Sequence, residues 1–337
     1  MEEEMMTAWL TGLIVAFVAT IIVEPLLRDW FKRIKVQQLV IRDNEHGPQH
    51  AFKAGTPTMG GAGFIAVVAV AYTVLMFVFG FHFQSAGGWA TLLAIVIYAI
   101  VGGFDDSVKI FNHRDEGLRF IPKLTAQIVA AILAVVILAA GRFEFIVHLP
   151  FGLPDIHSVV LYSILTIIWL VGWSNATNLT DGLDGLATGT AVIAYVAYLV
   201  IALQQGNQPI VLLNAVMVGA LVGFFAFNHY PATIFMGDTG SLALGAGLAM
   251  NALVLHVEWS LILIGLVFFV DTLTVIIQVT SYHYRKKRIF LMAPIHHAFE
   301  KGGITMNPDK PWNEWQVDAF FWGVGLVATL IYFLVFN

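Results

Sequence analysis

Ten stretches of this chain are apolar over the length of a membrane crossing: 7–27, 58–80, 89–104, 122–140, 159–173, 184–203, 210–227, 241–257, 261–283 and 317–336. A helix needs about 20 such residues to cross the hydrocarbon core. Inside lipid every backbone N–H and C=O must find a partner within the protein, so only helices and closed barrels span it. These runs are continuously apolar and do not alternate, which selects helices. Composition agrees: of 337 residues, 58% are hydrophobic and 12% charged. A soluble domain cannot hide that much apolar surface. The fold class expected is an all-α polytopic membrane protein of about ten transmembrane helices, forming one integral membrane domain over residues 1–337. The acidic start MEEEMM lacks the basic region of a cleaved signal peptide, so the first run is expected to stay as a span. Between the fourth and fifth runs, GRFEFIVHLPFGLPDIH alternates Phe, Ile and Val around Pro-Gly turns. It reads as a small hairpin or re-entrant piece on the membrane surface.

Basic residues sort the loops. With ten alternating spans, sixteen of the seventeen lysines and arginines fall on one side, and only Arg142 on the other. Basic loops stay in the cytoplasm, so both termini and the hairpin are expected outside, on the periplasmic side. The unusual polar sequence follows the same sorting. KAGTPTMGG (53–61), GGFDDSVK (102–109), NATNLTDGLDG (175–185), FNHYPATIFMGDTGS (227–241) and APIHHAFE (293–300) all lie at cytoplasmic span ends or loops. The outer loops hold no comparable cluster. A transporter would place its substrate groups near the midplane at broken helices, so this one-sidedness argues for chemistry at one face.

Asp105 and Asp106 end a span just after two glycines. Adjacent carboxylates in partly dry surroundings repel unless a cation or proton lies between them. They suit Mg²⁺ binding or general-base work; the plain alternative is a solvated helix end, which two acids would burden by opposing the helix dipole. Asp181 and Asp184, each followed by Gly, would sit at a helix N-terminus, where a simple N-cap accounts for one of them. It does not account for Asn175, Asn178, Thr180 and the second Asp together; that density of amides and carboxylates suits hydrogen bonding to a base or sugar. Asp238 in IFMGDTGS has the same character. Nearby Phe235 either anchors at the interface or stacks on a ligand ring. His296 and His297 could bind metal, donate to phosphate or lie in a solvated loop. The RKKR run before them reads as an anchor to anionic headgroups. Lys53 and Lys123 each adjoin a motif and are the better phosphate ligands. Glu24 and Asp271 are the chief ionisable groups within the hydrocarbon and rank behind these. Cysteine is absent, which removes disulfides and thiolate metal sites. No GxxxxGK[ST], GxGxxG or HExxH occurs. Three separated Asp sites with Lys and His at one face indicate Mg²⁺-assisted phosphoryl chemistry between a soluble partner and a lipid one.

Taken in order, KAGTPTMGG, FDDSVK, NATNLTDGLDGLA, FNHYPATIFMGDTGSLALG and MAPIHHAFE resemble the phospho-N-acetylmuramoyl-pentapeptide transferase family, over about residues 42–337. The wider superfamily of polyprenyl-phosphate N-acetylhexosamine-1-phosphate transferases shares the Asp-Asp and NxxDGxDG-type elements, while TPTMGG and MAPIHH point to the muramoyl-pentapeptide branch. The resemblance implies transfer of phospho-MurNAc-pentapeptide from UDP-MurNAc-pentapeptide to undecaprenyl phosphate in the bacterial cytoplasmic (inner) membrane. The products are lipid I and UMP, and the cofactor is Mg²⁺. It implies membrane lipid as surroundings, no nucleic-acid partner, and allows a homodimer. The alternative is a sister transferase moving GlcNAc-1-phosphate from UDP-GlcNAc to a polyprenyl phosphate. By motif, Asp105 and Asp106 match the catalytic Asp pair and Asp238 the third Asp, a metal ligand; all three are carried as metal ligands. Lys123 matches a diphosphate contact, and His296 and His297 belong to the histidine motif of the catalytic set. Lys53, Gly182, Leu183, Asp184 and Phe235 match positions that hold uracil. Thr58, Asn175, Asn178, Asp181, Asn228 and Gln278 complete the nucleotide-sugar set. The family's histidine motif usually reads PIHHHFE, and here Ala298 stands at the third His. A lipid phosphate, already largely a dianion at neutral pH with a second pKa of about 6, is expected to attack directly, with Asp105 or Asp106 positioning or deprotonating it. The alternative is a two-step route with an Asp as covalent nucleophile.

Overall fold

A computed structural model describes residues 2–37, 55–81, 86–111, 117–149, 153–304 and 310–336. Twelve helices make up nearly all of it: α1 (Glu2–Ile34), α2 (Gly61–Val78), α3 (Ala86–Phe111), α4 (Phe120–Ala140), α5 (Val159–Thr180), α6 (Leu186–Gln204), α7 (Gln208–Asn228), α8 (Gly237–Val254), α9 (Ser260–Ile264), α10 (Leu266–Arg285), α11 (Ile295–Glu300) and α12 (Glu314–Phe336). Among the described residues, nine are long and apolar enough to cross a membrane. The tenth long helix, α8, carries Asp238, Thr239, Ser241, Asn251 and four glycines. It can be less apolar because every side chain from Asp238 to Val254 is buried by other helices, so none of it has to satisfy lipid. Helix α8 packs chiefly on α3 and α5, α1 lies along α7, and α6 packs on α7. Outward faces of α1, α2, α10 and α12 remain apolar and exposed, with Leu26, Val78, Val279 and Leu334 all more than 60% accessible. In water such a surface would be a liability; against lipid tails it is the expected boundary.

Local signals set several helix starts. The Ser158 hydroxyl accepts from Leu161 N (3.2 Å) at the start of α5, and the Asn207 Oδ1 accepts from Ile210 N (3.4 Å) at the start of α7, with Pro209 in its first turn. The segment between α4 and α5 forms the expected hairpin, β1 (Ile146–Val147) paired antiparallel with β2 (Ile156–His157). It is docked on the α8–α9 turn, where the Trp259 indole donates to the His148 carbonyl (2.8 Å) and Phe143 stacks on His256.

Several expected boundaries move, two of them at the polar motifs. The short run 89–104 becomes α3 and continues past the Asp pair to Phe111, so Asp105 and Asp106 lie within a helix and do not end it. The continuation is supported by Lys109, one turn on, which neutralises both (2.8 and 3.7 Å). The run 159–173 becomes α5 and continues to Thr180, so NATNLT is helical and Asn175 and Asn178 share one face. The expected span 261–283 is broken at Gly265 into α9 and α10.

Candidate active site

The site is built where α3 touches the start of α8. A Cβ on Gly102 would overlap the carbonyl oxygen of Asp238, so only glycine lets these helices approach so closely. One turn on, Asp106 meets the N-terminus of α8. Its Oδ1 accepts from Asp238 N (3.1 Å), and its Oδ2 accepts from Thr239 N (3.0 Å) and the Thr239 hydroxyl (2.8 Å). A carboxylate here satisfies orphan backbone donors and complements the positive end of the helix dipole. Helix α8 itself has no side-chain cap of its own; Asp106 supplies one from outside.

Asp105 and Asp238 complete the cluster. The Asp105 Oδ1 accepts from Leu118 N (2.9 Å), while its Oδ2 faces the ammonium groups of Lys109 (2.8 Å) and Lys123 (3.6 Å). Asp238 Oδ1 lies 2.9 Å from Lys109 Nζ and accepts from Asn178 Nδ2 at 2.9 Å; its Oδ2 accepts from Lys123 Nζ at 2.6 Å. All three aspartates are buried, the most accessible at 9%. One oxygen from each lies within 4.8 Å of the others, a group that could hold a metal ion. Three carboxylates against two ammonium groups leave one net negative charge, and the donors are hard oxygens. That donor set fits a divalent cation of the Mg²⁺ or Ca²⁺ kind and not a soft metal. Lys109 closes the GGFDDSVK motif, but the motif alone assigns it no role of its own. Its signal was the i+4 spacing from Asp105.

The other motifs converge on this centre. The Phe235 amide donates to the Pro57 carbonyl (2.8 Å) and its carbonyl accepts from Gly60 N (2.8 Å), which lays TPTMGG alongside IFMGD. Thr58 is thereby brought beside the start of α8: a Cβ built on Gly237 would lie 3.1 Å from the Thr58 Oγ1 and 2.6 Å from the Asp106 Oδ2. Asn178 ties α5 to Asp238 and to the Ser241 hydroxyl (2.9 Å each). Beyond it, Asp181 closes α5 and the turn 181–185 leads into α6. The residue capping α6 is Gly185, so neither Asp181 nor Asp184 is accounted for as a plain N-cap. Asp184 is held elsewhere. Its Oδ2 accepts instead from Ala232 N (2.9 Å), and its own N–H donates to Glu314 of α12 (3.1 Å). Leu183 is buried below this turn. At Gly182 the histidine motif arrives, its ring Nε2 atoms both turned toward the turn. His297 Nδ1 pairs with Glu300 (2.6 Å) and His296 Nδ1 with Asp271 (2.9 Å). Ala298 is buried in an apolar cluster with Leu183, Leu186, Ile295 and Val317.

Three further members of the expected nucleotide-sugar set are engaged within the fold. Asn228 accepts from the Thr188 hydroxyl (2.6 Å) and donates to the Ile234 carbonyl (3.1 Å), which pins the 229–234 loop. Asn175 exchanges amide hydrogen bonds with Gln127 of α4 (2.9 and 3.4 Å). Gln278 accepts from Ile289 N and Phe290 N and donates to the Phe290 carbonyl. Its neighbours Val279, Tyr282, Lys286 and Arg288 help line a groove of about 450 Å³. Lys53 lies outside the described residues.

Comparison with known proteins agrees over nearly the whole chain. Residues 88–256 match the model of glycosyl transferase family 4. A phospho-N-acetylmuramoyl-pentapeptide-transferase of Leuconostoc mesenteroides subsp. mesenteroides is 47% identical over 97% of this chain and 98% of its own. The transferase of the same name from Leuconostoc citreum is 46% identical over 94% of this chain and 95% of its own. That from Lactobacillus johnsonii is 45% identical over 96% and 97%.

Proposed function

The chain belongs to the phospho-N-acetylmuramoyl-pentapeptide transferase family, and from that membership we propose the reaction, its face of the membrane and the residues that carry it. The protein transfers phospho-MurNAc-pentapeptide from UDP-MurNAc-pentapeptide to undecaprenyl phosphate, giving lipid I and UMP. The observation that supports this most directly is the buried Asp105–Asp106–Asp238 group with Lys109 and Lys123 between its oxygens. It gathers both signs of charge where two anionic substrates must be brought together. Mg²⁺, held by Asp238 and Asp105, would neutralise phosphate oxygens of the donor.

Both oxygens of Asp106 already accept hydrogen bonds from α8, so Asp106 aligns Asp238 and is the less available base. Asp105 keeps Oδ2 turned toward the two lysines, and it orients the lipid phosphate and takes a proton from the monoanionic fraction. An oxygen of the lipid phosphate then attacks the β-phosphorus, forming one P–O bond. The bond from that phosphorus to the oxygen bridging the two phosphates breaks, and UMP leaves with the bridging oxygen. Lys109 and Lys123 turn from the carboxylates toward the charge developing on that oxygen. The turn 181–184 and Phe235 hold the uracil, with Thr58, Asn178 and Asp181 toward the sugar and diphosphate. His296 and His297 stand behind the Gly182 turn, and Asn175, Asn228 and Gln278 hold the site walls. The site lies at the cytoplasmic face, a placement supported by the one-sided distribution of basic residues.

The test uses donor labelled in the sugar phosphate. With undecaprenyl phosphate and Mg²⁺ the label should pass to lipid while UMP is released, and UDP-GlcNAc should not substitute. Equal use of UDP-GlcNAc, or label held covalently on the protein when the lipid is left out, would contradict the reaction as written.

A further inference from the structure

Asp271 lies in the second turn of α10 and is fully buried, as is His296 on α11. The Asp271 Oδ2 is 2.9 Å from the His296 Nδ1. Among the described residues, Asp271 Oδ1 and His296 Nε2 have no hydrogen-bond partner. A carboxylate buried with one oxygen unsatisfied is costly, and an amide would fill the same volume at less cost. The two differ in what they dictate. An ionised carboxylate only accepts, so it forces the proton onto Nδ1 and leaves Nε2 with a lone pair. An amide could equally donate to Nδ1, which moves the proton to Nε2.

The direction of that lone pair is set by the fold. A Cβ built on Gly182 would lie 2.6 Å from His296 Nε2 and 2.9 Å from His297 Nε2, so the open nitrogen is aimed at the 181–184 turn. Beneath the pair, Val267, Ile295, Leu183 and Val317 form the apolar cluster that fixes α10, α11 and α12 against that turn. The ring therefore has little freedom to turn away.

We propose that Asp271 is a positioning residue for the donor nucleotide: it holds His296 as the Nδ1–H tautomer, so that Nε2 stands as a hydrogen-bond acceptor behind the Gly182 turn. This rests on the reading that the turn contacts the nucleoside. An acceptor there matches the N–H of uracil or the hydroxyls of ribose and repels phosphate oxygens. The nucleoside end of the donor is thereby directed to Gly182, and the diphosphate end to Lys109 and Lys123.

Equilibrium titration with UMP, alongside steady-state kinetics, tests this in the full-length detergent-purified protein. Asp271→Asn should weaken UMP binding and raise the donor KM about tenfold, while the KM for undecaprenyl phosphate stays within twofold and the thermal midpoint does not fall. Asp271→Glu, again acceptor-only, should recover most of the affinity. Wild-type UMP affinity in Asp271→Asn would overturn the proposal. So would equal losses in both variants together with a lowered thermal midpoint, since that marks a packing role. A wild-type protein that releases no UMP from the donor would overturn the functional reading itself, a result separate from these.

Discussion

Both oxygens of Asp106 accept hydrogens from the first turn of α8, while Asp105 keeps Oδ2 turned toward Lys109 and Lys123. Neighbours in the chain thus carry different loads, and isosteric substitutions separate them. Asp106→Asn puts an amide N–H where Asp106 now accepts from N–H and O–H groups; unfolding in detergent should become easier by about 1–3 kcal/mol. Asp105→Asn should leave the thermal midpoint nearly unchanged and reduce UMP release by at least about 100-fold. If the two variants exchange phenotypes, the division of roles is wrong. Lys109 makes a second case. It touches Asp105 and Asp238 at under 3 Å, so Lys109→Met should lower turnover more than tenfold; activity within twofold of wild type would show that Lys123 alone suffices. The aspartates were legible in the sequence because acids are conspicuous in apolar surroundings. Lys109 was not, because a lysine near a helix end is ordinary until the helix is known to continue around it. The internal ties of Asn228 and Gln278 were equally hidden, since their partners lie on loops whose paths the sequence does not give.

At the scale of elements, the site depends on how closely two helices approach. Helix α3 can present Asp106 to the start of α8 only because Gly102 carries no side chain. Gly102→Val should force these helices apart, costing about 1–3 kcal/mol of stability and reducing turnover together with Mg²⁺ affinity. Unchanged Mg²⁺ dependence in a folded Gly102→Val protein would show that this contact does not shape the carboxylate group. Most of the element plan could be read from apolar runs alone, including the hairpin from its alternating Phe, Ile and Val. The ends of α3 and α5 could not. Polar residues such as Asp105 and Asn178 resemble loop residues in hydropathy, yet here they stay helical because neighbouring helices satisfy them. Helix α8 is the sharpest example: among the described residues it is the long helix that falls short of the apolarity of a membrane crossing, and it is enclosed by protein along almost its whole length.

At the scale of the molecule, every motif that the sequence marked as polar has been drawn to one end of the bundle, and the hairpin to the other. Because the chain has no cysteine, single cysteines can report orientation without removing any. Glu144→Cys, beside the hairpin, should react with a membrane-impermeant maleimide added to intact cells, and Tyr284→Cys, 79% exposed at the end of α10, only after the membrane is opened. The reverse pattern would place the site outside. The central claim is that the buried aspartates and lysines form one divalent-cation-dependent centre for phosphoryl transfer. It is tested most directly by measuring UMP release from UDP-MurNAc-pentapeptide and undecaprenyl phosphate across a Mg²⁺ titration, for wild type and Asp238→Asn. Wild type should need Mg²⁺ and lose activity to a chelator, and Asp238→Asn should be inactive at every concentration while remaining folded. Near-normal turnover by Asp238→Asn, or turnover by wild type in excess chelator, would contradict it.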